Sequence, residues 1–116
     1  MIFKFFAKNK FDIYSKVVLT TGAGDDISWT KRAVISAYIE PADGENLKGC
    51  PEGLAKNVSL TLFTQQPINT GERIHIISPE TSVDEWFEIV SRSFYKMPFF
   101  NYFKGYLVKT DENISV

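Results

Sequence analysis

Hydrophobic and polar residues alternate along most of this chain with a period of two. That spacing puts successive side chains on opposite faces of a β-strand. In residues 31–40, Ala33, Ile35, Ala37 and Ile39 point one way, and Arg32, Val34, Ser36 and Tyr38 the other. Residues 57–64 alternate Val58, Leu60 and Leu62 with Ser59, Thr61 and Phe63. In residues 72–78, Ile74 and Ile76 oppose Arg73, His75 and Ile77. Residues 13–20 read as a strand with Val17 and Leu19 on one face. Near the C-terminus, residues 85–92 set Trp86, Glu88 and Val90 against Phe87 and Ile89. Residues 101–109 set Tyr102, Lys104, Tyr106 and Val108 against Phe103, Gly105 and Leu107.

Turn-forming residues punctuate these segments at 22–26, 41–44, 51–53, 69–71, 79–84 and Met97-Pro98. Pro41 cannot donate a ladder hydrogen bond, so the strand before it is expected to end there. Residues 45–49 are expected to make one turn of helix. The pattern predicts an all-β fold, a small antiparallel β-barrel or sandwich of about six strands with at most one short helix. Inward alanines such as Ala33 and Ala37 suit the taper of a barrel. The length of 116 residues is that of a single domain over 1–116. Residues 1–11 are expected to form a mobile N-terminal arm or edge strand, and residues 110–116 a frayed tail.

The connection between the last two strands does not follow the alternation. From Phe94 to Phe103, six of ten residues are aromatic. Each aromatic side chain buries about 150–250 Å², too much apolar surface to leave in water. The segment therefore either closes the core or meets a partner.

Composition narrows the function classes. A hydrophobic fraction of 44% and a charged fraction of 23% are ordinary for a globular domain. The formal net charge is -1, with no run of like charges, so bulk attraction to nucleic acid or an anionic membrane is not expected. Lys4, Lys8 and Lys10 interrupt the apolar N-terminus, so it does not read as a secretion signal. No stretch approaches the ~20 apolar residues of a membrane helix. Cys50 is the only cysteine, which rules out an intramolecular disulfide and suits a reducing compartment.

Candidate chemistry is sparse. With one cysteine and one histidine, soft ligands for a zinc cluster are lacking. His75 sits between Ile74 and Ile76 with no serine or cysteine beside it, so it reads as a strand-face histidine. Cys50 precedes Pro51 in a turn and reads as a small, partly buried residue. Asp25, Asp26, Asp43 and Glu45 do not match a calcium-loop spacing and read as turn formers. Gly22-Ala-Gly24 lacks the rest of a dinucleotide or phosphate loop and reads as a hairpin connector. No catalytic, metal or cofactor residue is assigned, and the chain is not expected to be an enzyme. The aromatic run with Lys96 and Lys104 suggests a base-stacking platform, but the basic groove of a single-strand binder is missing.

Taken in order, several segments resemble a known family. They are Ala37-Tyr-Ile-Glu-Pro-Ala-Asp-Gly44, Leu47 with Pro51-Glu-Gly53, Val58-Ser-Leu-Thr-Leu-Phe-Thr64, and Trp86-Phe-Glu-Ile-Val90 followed by residues 102–108. The set is similar to the small head–tail joining, or head-closure, proteins of siphophage-type tailed phages. It covers about two-thirds of the chain and leaves residues 1–30 unmatched. The resemblance implies a structural subunit without catalytic residues or cofactors. Its partners would be further copies of itself in a ring, often of six or twelve, together with a portal or adaptor protein and a tail protein. DNA would be only passing cargo, and no membrane is involved. The protein would reside in the virion neck, and in the host cytoplasm during assembly. A tail-completion (tail terminator) subunit and a barrel binding single-stranded nucleic acid are the alternatives. The contact residues expected on this reading are Phe3, Phe5, Phe6, Leu47, Leu54, Tyr95, Met97, Phe99 and Phe100.

Overall fold

Each alternating segment forms a strand, and the strands close on one another. A computed structural model of the chain describes residues 9–44, 47–48, 50–51, 53, 56–77 and 82–110. Among these residues are six strands: β1 (Asn9–Thr21), β2 (Gly24–Pro41), β3 (Leu60–Thr64), β4 (Arg73–Ile77), β5 (Asp84–Lys96) and β6 (Asn101–Lys109). They form a closed barrel in the order β1-β2-β3-β6-β5-β4, with every neighbouring pair antiparallel. The expected all-β antiparallel fold is thus a barrel and not a sandwich.

The interior holds the residues that alternation sends inward. Ile13, Ile35, Ala37, Leu62, Ile74, Phe87, Ile89 and Leu107 form one buried cluster, with Phe11, Ile39, Leu60, Ile76 and Phe103 packed against it. One member was not expected. Ile68 lies in the polar connector between β3 and β4, yet it is fully buried in this cluster. It packs directly over Gly105, where a Cβ would come within 2.9 Å of the Ile68 Cδ1. A glycine in β6 therefore makes room for a plug supplied by a loop.

The strands are longer than periodicity predicts. β1 begins at Asn9 instead of residue 13, and β2 begins at Gly24 instead of residue 31. The turn between them shrinks to Gly22-Ala23, with Thr21 and Gly24 paired across it. The Thr21 Oγ1 ties this turn, donating to the Gly24 carbonyl at 3.0 Å and accepting from the Ala23 N–H at 3.3 Å. Gly24 has φ +120°, a conformation that L side chains rarely adopt.

β5 likewise runs on to Lys96, past the expected end at residue 92. An irregularity between Ile89 and Ser91 explains why alternation failed there. Val90 is the extra residue, so the parity of inward positions reverses after it. Ile89 pairs with Leu107 before the irregularity, whereas Arg92 pairs with Gly105 and Phe94 with Phe103 after it. Phe94, Tyr95 and Lys96 are therefore strand residues, and the turn is confined to the four residues from 97 to 100. β3 is shorter than expected, beginning at Leu60, although Val58 is buried. β4 keeps nearly its expected bounds.

Candidate functional site: two hairpins at one end of the barrel

Strand lengths decide where the unusual surface lies. β4 pairs with β1 only at Asp12, Ile13 and Tyr14, and with β5 only from Asp84 to Glu88. Both long strands continue in the same direction beyond Arg73, the first residue of β4. The β1–β2 and β5–β6 hairpins thus project from one end of the barrel, separated in strand order by the short β4 on one side and the short β3 on the other. The connector carrying Ile68 closes that end between them. At the opposite end lie Asn9, Pro41, Leu60, Ile77, Asp84 and Thr110. The molecule measures 50 × 31 × 28 Å, in keeping with projecting ribbons.

The β1–β2 ribbon carries apolar side chains on both faces. Residues 15–21 of β1 pair with β2 alone, a stretch of about 23 Å at strand rise. Leu19 is 59% exposed and Ile27 58%, with Val17 and Val18 also exposed. Two-stranded ribbons are marginally stable in water, and exposed apolar edge strands invite pairing.

The root of this ribbon is fixed by an ion pair. Glu72 is only 5% exposed. Its carboxylate accepts from Arg32 Nε and from Arg32 Nη2 (2.9 Å), from Ser15 Oγ (2.8 Å) and from the Asn69 N–H (2.8 Å). Arg32 Nη2 also donates to the Pro67 carbonyl at 2.9 Å. Two ribbon residues are thereby locked to the connector that plugs the barrel. Burial raises the Glu72 pKa, but the hydrogen bonds from Arg32, Ser15 and Asn69 and the Arg32 charge outweigh it, and the pKa lies below its ordinary value.

On the outer face, a stripe of rings supports the same root. Trp86 stacks on His75 (4.5 Å between centroids) and meets Tyr14 edge-on (5.1 Å). Arg73 lies over Trp29, 4.6 Å from its ring centroid. His75 Nε2 and Asp84 Oδ1 are 2.9 Å apart. His75, Asp12, Phe11, Ile39 and Ile76 also border a cleft of about 410 Å³ at the opposite end, with neither serine nor cysteine in its lining. Among the described residues, no group of three or more His, Cys, Asp or Glu side chains is placed to hold a metal.

Of the described residues between β2 and β3, Lys48 lies over the outside of β6. Tyr106 donates to the Lys48 carbonyl at 3.0 Å, and the Ser59 N–H donates to Leu107 at 3.0 Å. Beneath it, Lys104 is buried between the rings of Phe63 (5.6 Å) and Tyr106 (5.3 Å). Burial lowers the Lys104 pKa, opposed by the charges of Glu40, Asp43 and Cys50. Burial also pushes Tyr106 up to about 12 and raises Cys50. Cys50 is accordingly a half-buried turn thiol.

The nine expected contact residues separate in space. Phe3, Phe5, Phe6 and Leu54 lie outside the described residues. Leu47 is half-buried in the connection over β6, where its N–H donates to the Asp43 carbonyl. Tyr95, Met97, Phe99 and Phe100 come together at the β5–β6 tip. Their rings are partly spent on one another: Tyr95 stacks on Tyr102 at 4.9 Å and Phe100 lies 6.2 Å from Tyr102. Phe94, which pairs with Phe103 at 4.9 Å, is 51% exposed, and Phe99 is 96% exposed. The β1–β2 ribbon escaped sequence reasoning because its apolar residues look like an ordinary strand. The signal was Val17, Val18 and Leu19 in succession, an apolar run that no single face can bury.

The comparisons with known proteins bear on this fold. No family model matches the sequence, and no curated protein matches it. Among solved structures, the chain is similar to the solution structure of protein SF1141 from Shigella flexneri 2a. The TM-score is 0.66 over 92% of this chain and 97% of that one, at 11% identity. At this identity the likeness shows the fold alone.

Proposed function

We propose that this protein is a structural subunit of the neck of a tailed phage or prophage particle, forming a ring between portal and tail. The observation that carries the reading is the pair of hairpins projecting from one barrel end with Val17, Val18, Leu19, Ile27, Phe94 and Phe99 exposed. Exposed apolar surface on both ribbons suits burial against neighbouring subunits or a partner ring. The ordered likeness of residues 37–108 to head-closure proteins supports the same reading. In this role the barrel is a rigid mount, and the Glu72–Arg32 lock sets the angle of the ribbon.

The test joins the identity of the neighbouring genes to binding of the portal that they would encode. On this reading, portal, capsid and tail genes flank the coding sequence, and the purified chain binds portal rings. Metabolic genes on both sides, with no virion genes, would refute it. Phe99→Ser is expected to leave stability within about 0.5 kcal/mol of wild type, because the side chain is nearly fully exposed. The same change is expected to weaken assembly about tenfold, as loss of an aromatic interface anchor does. Urea denaturation and sedimentation of the same sample check both halves.

A further inference from the structure

Among the described residues, two sheet edges at the hairpin end have no strand beside them. β2 gains β3 as a neighbour only from Ala37 on. Just before that, the Gln66 side chain covers the edge, accepting from the Ser36 N–H and donating to the Val34 carbonyl. Among the described residues, no strand pairs with the outer edge of β2 over residues 24–33. The outer edge of β5 is similarly unpaired over residues 90–96, past its ladder with β4. These two edges lie on opposite sides of the molecule, one above β3 and the other above β4.

Their chemistry is complementary. The distal part of β2 carries Asp25 and Asp26 and no cation before Lys31. The free part of β5 carries Arg92 and Lys96 and no carboxylate. Apolar residues accompany both: Ile27 and Trp29 on β2, Phe94 and Tyr95 on β5. Their directions also fit. β2 is antiparallel to β1, β1 to β4 and β4 to β5, so β2 and β5 run oppositely. Rotation about an axis along the barrel preserves these directions, so β2 of one copy would meet β5 of the next as an antiparallel pair.

We propose that copies of this chain join head to tail through this pairing, the free edge of β2 adding to the free edge of β5 in the next copy. It rests on the ring-forming reading above and names the surfaces that form the ring. Asp25 opposite Lys96 sets the register. At the β2 edge the outward-facing residues hold the groups that can pair, as Ser36 does in bonding Gln66 and Thr64. At the β5 edge the inward-facing residues hold them, as Ile89 does in bonding Glu72 and Gly71. The outer face of one ribbon therefore continues the inner face of the next, and the hydrogen-bonded pairs join Asp25, Ile27 and Trp29 of β2 to Lys96, Phe94 and Arg92 of β5. Main-chain hydrogen bonds supply the adhesion and the charges supply register and partner choice. Because the two surfaces differ, the contact is heterologous and generates a closed ring when the rotation closes.

Cysteine cross-linking in a Cys50→Ser background tests it. Asp25→Cys and Lys96→Cys proteins, mixed and oxidised, are expected to give a heterodimer, and neither alone a homodimer. The doubly substituted chain is expected to give a covalent ladder. Asp25→Lys is expected to lower the assembled fraction about tenfold, with recovery on adding Lys96→Asp. Both positions lie on the exposed hairpins, and circular dichroism verifies folding. Homodimers of Asp25→Cys alone would overturn the proposal in favour of ribbon-on-ribbon pairing. Assembly of the unsubstituted chain without the Asp25–Lys96 cross-link in the cysteine proteins would overturn the contact while leaving the neck reading intact. A chain that stays monomeric at millimolar concentration would overturn both.

Discussion

Replacing Glu72 with alanine is expected to destabilise the protein by about 2–3 kcal/mol, the range for losing a buried partner of charged hydrogen bonds when the other ion is partly solvated. The carboxylate accepts from Ser15, Arg32 and the Asn69 amide, and its removal leaves all three donors without it. Arg32 retains the Pro67 carbonyl and some water, which keeps the loss below that of a fully buried pair. The change should also free the β1–β2 ribbon from the connector, so amide exchange is expected to quicken in the ribbon before it does in β3 or β6. The pH dependence follows from the same group. Its folded pKa lies below the ordinary 4.5, so the stabilisation is complete above that value and is lost as pH falls through the folded pKa. Glu72→Gln is expected to remove that acid-side loss while lowering stability at neutral pH. Urea titrations at pH 7 and below pH 4.5 of the two variants beside wild type measure both effects.

Ile68→Ala is expected to cost about 2–4 kcal/mol, the range for emptying a fully buried aliphatic site. Ile68 is 0% exposed and seals the barrel end over Gly105. The reciprocal change is also informative. Gly105→Ala places a methyl group 2.9 Å from the Ile68 Cδ1, and overpacking of this kind costs about 1–3 kcal/mol. In the Ile68→Ala background the added methyl group meets vacated space, so its cost is expected to shrink or reverse. A double-mutant cycle measured by urea denaturation gives the coupling directly, and simple additivity would contradict the packing described.

These two sites mark where the sequence stops being legible. Alternation alone identified the inward residues of β2, β4 and β6, because a strand with one buried face must repeat every second residue. It could not show Ile68, a lone apolar residue in a polar connector whose burial depends on a glycine thirty-seven positions later. Nor could it pair Arg32 with Glu72, which are separated by 40 positions. The first half of β2 was invisible for a different reason. Gly24, Asp25 and Asp26 carry turn chemistry, and pairing with β1 overrides it. In β5, the extra residue at Val90 reverses the inward parity, so the aromatic run looked like a loop although all of it but residues 97–100 is strand. The tip residues Met97, Phe99 and Phe100 were legible as an excess of rings, but which rings stack on one another and which stay exposed required the fold.

The central claim is that this barrel is a unit of a closed ring, joined through its projecting hairpins. Native mass spectrometry of the unsubstituted chain, from micromolar to millimolar concentration, tests it most directly. The account predicts one discrete oligomer that grows at the expense of monomer as concentration rises and loses its population in Asp25→Lys. A monomer at every concentration, or an open-ended series of sizes with no favoured stoichiometry, would contradict it.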